Sequence, residues 1–179
     1  MKNFILLLLI LLLVSCKGGV LEVAEEGHFE ATVGDPVSTT FRGRAMFGTF
    51  TDPAGGGEGA LIQLLTGGER GISLTGKVGG VPGVGEYTIV RFDESRDFRN
   101  LRPNEFFGLY VHGSGTEFSL YFNSRSGSIF ITHSSNDLIK GTFSFTAEGY
   151  RTRMDTTRDT VTVTLSGSFE ARKGTVEFR

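Results

Sequence analysis

The 179-residue chain has one cysteine, four prolines and no tryptophan, and its 18 basic side chains nearly balance 20 acidic ones. A single thiol excludes an intramolecular disulfide and leaves the stability of an exported domain to its core. The near balance of charge excludes the basic footprint of a nucleic-acid binder, so no nucleic-acid partner is expected. Four prolines beside 26 glycines exclude a proline-rich chain and point to many tight turns. No apolar run reaches the roughly 20 residues of a bilayer-spanning helix. The longest, from Phe4 to Val14, has 11. Hydrophobic residues at 39% and charged residues at 21% fit a globular chain, and the length suits one domain.

What is present begins with Lys2 ahead of that apolar run, the layout of a signal-peptide n-region and h-region. The run ends in Leu13-Val14-Ser15-Cys16, which resembles the lipobox of bacterial lipoprotein precursors. That resemblance implies cleavage between Ser15 and Cys16, a diacylglycerol on the Cys16 thiol and, often, acylation of the new amino group. At about 0.8 kcal/mol per buried CH₂, two or three acyl chains anchor stably where one does not. The chain then divides into a signal peptide (1–15), a lipidated N-terminus and tether (16–27) and a single β-domain (28–179). Lys17 follows the cysteine in place of the Asp that resembles an inner-membrane retention signal, so the outer membrane of the cell envelope is expected. Scattered Glu22, Glu25 and Glu26 leave open which side of that membrane it faces.

Beyond the tether the pattern has period two. Val161, Val163, Leu165, Gly167, Phe169 and Ala171 alternate with hydroxyl residues, as only a strand can segregate them. Similar runs predict about ten strands, near 28–34, 39–50, 60–66, 71–78, 85–90, 106–113, 116–123, 127–133, 138–147 and 160–171. Ser/Gly clusters between them, such as Ser124-Arg125-Ser126-Gly127, read as turns. Short connections favour an antiparallel meander, and one apolar face per strand requires an enclosed core. The expected fold is all-β, a β-sandwich or a closed β-barrel (a lipocalin-like barrel is one form), with no substantial helix after the signal peptide. Gly43, Gly141 and Gly167 inside strands suggest bends or bulges. Residues 95–101 suit one or two helical turns, with Ser95 as a cap. Apolar-in, polar-out strands are the reverse of an outer-membrane pore.

The C-terminal half carries Ser126-Gly127-Ser128-Ile129-Phe130-Ile131-Thr132, then Ile139-Lys140-Gly141-Thr142-Phe143-Ser144-Phe145-Thr146-Ala147, then Val161-Thr162-Val163-Thr164 and Gly167-Ser168-Phe169. Over roughly residues 70–172 this resembles uncharacterised β-rich bacterial lipoproteins, apart from a longer charged loop at 148–159. The resemblance implies a tethered β-domain and carries over no catalytic residue.

Chemical motifs are sparse. No Gly-x-Ser-x-Gly elbow occurs, and Ser114 and Ser126 belong to turn-like clusters. His28, His112 and His133 are isolated, so no metal site is assigned. His133 continues the Ile129 and Ile131 face, which predicts a partly buried structural side chain, while His112 shares a face with Tyr110. Asp93, Glu94, Asp97 and Glu105, and then Glu148, Asp155 and Asp159, lie in loops mixed with arginines and read as solvated ion pairs. The Gly-rich stretches 55–59 and 79–85 precede no helix and read as turns, not phosphate cradles. Two features stand out: a long 91–107 link with Phe92, Phe98, Phe106 and Phe107, which reads either as a packed surface loop or as a lid on a barrel mouth, and 16 phenylalanines.

The expected function is a membrane-anchored envelope lipoprotein whose β-domain binds or builds without catalysis, for a small apolar ligand. The alternatives are an envelope hydrolase using loop carboxylates and a module that binds an envelope protein. No cofactor is expected, and the assigned residues are Cys16 for lipid attachment with Ser15 and Cys16 at the cleavage point.

Overall fold

Alternating side chains over five to eight positions commit each run to a strand, because only then do the apolar residues share one face. The structure is a computed structural model. It describes residues 26–34, 38–68, 70–92, 98–113, 120–152 and 158–175, so Ser15 and Cys16 lie outside the described residues. Among them are nine strands: β1 (His28–Gly34), β2 (Thr39–Asp52), β3 (Gly57–Leu65), β4 (Arg70–Gly76), β5 (Gly85–Val90), β6 (Glu105–His112), β7 (Leu120–Ser134), β8 (Leu138–Thr152) and β9 (Arg158–Lys173). One 3-10 turn, Phe98–Asn100, occupies part of the predicted helical segment.

The strands form one closed barrel in the order β1-β2-β3-β4-β6-β5-β7-β8-β9, with β9 returning to β1. Neighbours are antiparallel except β5–β6 and a short β2–β9 contact, which are parallel. The chain is thus not a pure meander, since β5 and β6 exchange places. A parallel neighbour cannot be reached by a tight turn and needs a crossover of about a dozen residues or more. Residues 91–104, between β5 and β6, are that crossover.

The ninth strand count also has a local cause. The described part of the predicted strand at 116–123, from Leu120 on, and the one at 127–133 belong to one strand, β7, whose register against β8 shifts between Ser124 and Ser126. Arg125 is the extra residue of a β-bulge, and its guanidinium pairs with Glu148 on the neighbouring strand. The Ser-Arg-Ser-Gly cluster therefore marks a bulge where the composition suggests a turn.

Twenty-seven buried apolar residues fill the barrel as one cluster. Its packing is built on cross-strand pairs of phenylalanine with glycine: Phe29 opposite Gly43, Phe106 opposite Gly76, Phe122 opposite Gly149, Phe143 opposite Gly167, Phe145 opposite Gly127 and Phe169 opposite Gly141. Five of these rings cover the place where the partner glycine has no side chain, and the Phe145 ring lies instead over Gly108 of β6, which matches large residues with small ones around the barrel. Gly43, Gly141 and Gly167 thus serve as seats for rings, and none of them is the bulged residue. The outer face of β7, β8, β9, β1 and β2 is hydroxyl-rich, with Ser128, Ser144, Ser166, Thr32 and Thr40 in one row.

Two short strands leave forks in the sheet. Where β5 ends, β6 and β7 begin to pair directly, from Leu109 with Asn123 onward. Ser124 closes this fork: its hydroxyl donates to the Val90 carbonyl at 2.6 Å and accepts from the Gly108 amide at 3.0 Å. It is fully buried.

Candidate functional site

The described residues of the crossover, 91–92 and 98–104, lie not over a barrel mouth but against the outside of β2, β3, β4 and β6, and the reason is a patch of outward apolar residues there. Leu61, Thr75 and Phe107 share one row across β3, β4 and β6, and Gln63, Ser73 and Leu109 share the next. Phe92 stacks on Phe107 with ring centroids 4.7 Å apart, and Phe98 on Phe50 at 4.9 Å. Gly59 makes the second contact possible, because a Cβ there would meet Phe50 at 2.5 Å and Phe98 at 2.7 Å. Leu61, Leu101 and Phe107 are buried yet stand apart from the interior cluster, as a small second core under the crossover.

Polar contacts fix the crossover at both ends. The Phe92 amide donates to the Ser124 carbonyl at 2.9 Å, and the Lys77 ammonium to the Arg99 carbonyl at 3.1 Å. The Arg102 amide donates to the Glu105 carboxylate at 2.9 Å. Asn104, with φ at 68°, turns the chain into β6.

Between crossover and barrel wall lies a groove of about 740 Å³. It is lined by Phe50, Phe92, Phe98, Phe107 and Leu109, with Pro53 and Ala54 at the β2–β3 turn. The Ser73 and Thr75 hydroxyls stand on its β4 wall. Asp52 also borders it, but that carboxylate accepts the Ala54 and Gly56 amides, both at 3.0 Å, and so shapes its own turn. A mostly apolar cleft of this volume with a few polar groups has the dimensions of a small-molecule site.

The other predicted residues do not converge. His28 and His133 are exposed. His133 departs from expectation because the β7 register shifts again between Ile131 and His133, which turns its side chain out of the barrel. His112 does neighbour Tyr110, its Nδ1 lying 3.4 Å from the hydroxyl. Among the loop carboxylates, Glu105 holds its turn and Glu148 pairs with Arg125, while Asp93, Glu94, Asp97 and Asp155 lie outside the described residues. Among the described residues no group of three metal-ligating side chains converges, and no helix is long and apolar enough to cross a membrane. The Gly-rich stretch 55–59 forms the β2–β3 turn, with Gly55 and Gly57 at positive φ.

Sequence reasoning singled out the crossover and its phenylalanines but missed Phe50, Ser73, Thr75 and Leu109. Those residues lie on three strands, β2, β4 and β6, and the β4–β6 adjacency depends on the β5–β6 exchange. In comparisons with protein-family profiles, curated proteins and solved structures, nothing matches this chain.

Proposed function

We propose that this protein is a non-catalytic binding lipoprotein of the bacterial cell envelope. Acylated Cys16 holds it at the outer membrane, and the barrel takes a small apolar ligand in the groove under the crossover. The anchor rests on the lipobox Leu13-Val14-Ser15-Cys16 behind an 11-residue apolar run. The outward hydroxyl rows support a domain that stands in water on a tether, since a membrane-spanning barrel turns its apolar side outward. The observation that carries the binding reading is the Phe-walled groove of about 740 Å³.

Native mass spectrometry of residues 17–179, purified gently from the periplasm, tests the binding reading. A retained apolar passenger, lost when Thr75→Trp fills the groove, is expected. A clean apo mass would count against tight binding. For the anchor, mass analysis of the Cys16 peptide should find the diacylglycerol, and Cys16→Ser should release the protein from membranes.

A further inference from the structure

At the barrel mouth where β4 begins and β6 ends, a half-exposed cation caps the apolar lining. Arg70 has the same inward phase as Ile72 and Leu74, and it pairs in register with His112, which continues the inward phase of Phe106 and Tyr110. The Arg70 guanidinium lies over the Phe41 ring, 5.5 Å from its centroid. Phe41 in turn neighbours Tyr110 at 6.1 Å and Phe29 at 5.7 Å, and Tyr110 neighbours Phe122 at 5.5 Å. None of the ion pairs between described residues involves Arg70. An aliphatic residue at this strand start would complete the lining without the desolvation cost of a charge.

We propose that this barrel end is a second binding site, for a carboxylate carried on a small apolar or aromatic body, with Arg70 and His112 as its polar partners. The guanidinium offers a planar pair of donors matched to a carboxylate, and the imidazole opposite offers a ring N–H. Phe41, Tyr110 and Phe122 provide the apolar bed. Burial raises the Tyr110 pKa, and the Arg70 charge draws it partly back, so the phenol keeps its proton and remains a donor. The site lies at the barrel mouth, whereas the groove lies on the outer wall, and neither proposal depends on the other.

The test uses the full chain in mild detergent, with the imidazole C–H resonances of the three histidines followed by NMR during benzoate titration. Saturable shifts confined to His112 are expected. Arg70→Gln should weaken binding at least tenfold, and benzyl alcohol, the neutral analogue, should bind at least tenfold more weakly than benzoate. Thr75→Trp, which fills the groove, should leave the titration unchanged. No saturable shift at His112, or equal affinity in Arg70→Gln, would overturn the proposal. Benzyl alcohol binding as tightly as benzoate would overturn the carboxylate, and inorganic phosphate binding as tightly would overturn the apolar body. If Arg70→Gln does not fold, Arg70→Lys serves in its place, since it keeps the charge but loses the planar fork. A several-fold loss then supports the site, and unchanged affinity refutes it.

Discussion

Ser124 illustrates how one hydroxyl holds a topological exception. The β5–β6 exchange leaves a fork where the Val90 carbonyl and the Gly108 amide lack strand partners, and the Ser124 side chain serves both. Ser124→Ala strands two buried backbone groups, so urea unfolding should show a loss of about 1–3 kcal/mol. The Phe-on-Gly pairs give a second prediction. A methyl group at Gly76 would displace the Phe106 ring, which is fully buried. Gly76→Ala should therefore cost about 1–3 kcal/mol, and Gly76→Ala with Phe106→Leu should cost less than the sum of the two single changes. Titration has two signs here. Burial raises the pKa of Tyr87 and Tyr110, so stability is level below about pH 10 and falls as pH rises through their raised values. The Lys140 ammonium, 2.9 Å from the exposed Glu170 carboxylate, lowers the Glu170 pKa. That contribution is present above the ordinary glutamate range and lost as pH falls through the lowered value. Lys140→Met should return the Glu170 carboxyl resonance to a higher titration midpoint, and an unchanged midpoint would refute the pairing.

At the scale of elements, the crossover is the part of the scaffold on which the proposed binding rests. Its length is set by the need to return the chain parallel to β5, and its phenylalanines are used to seal it against the barrel wall. Phe98 packs on Phe50 through the gap at Gly59 and is partly exposed, so Phe98→Ala should cost little stability, below about 1.5 kcal/mol. The same change should weaken an apolar probe in the groove at least tenfold, about 1.4 kcal/mol. Strand positions were legible because alternation is a local property: β1 and β5 are found within the expected limits, 28–34 and 85–90. The bulges were not legible, since Ser-Arg-Ser-Gly has the composition of a turn and only the partner strand shows that pairing resumes beyond Arg125. The same limit applies to His133. Its inward phase holds in sequence, but one inserted residue on β7 reverses it.

At the scale of the whole molecule, the sequence implies one enclosed core, and closure of β9 onto β1 makes that core a barrel. Which phenylalanine covers which glycine depends on register, and register belongs to pairs of strands, so 16 Phe and 26 Gly suggested core and turns separately. The groove was illegible for the same reason: Phe50, Thr75, Phe107 and Phe98 meet only after the β5–β6 exchange. This outer groove is proposed to bind a small apolar molecule. The most direct measurement is a fluorescence titration of residues 17–179 with N-phenyl-1-naphthylamine, wild type beside Thr75→Trp, with circular dichroism and urea midpoints confirming that both are folded. Saturable one-site binding in the wild type and at least a tenfold loss in Thr75→Trp are expected. Equal binding by the two proteins, or no saturable binding in the wild type, would contradict the proposal.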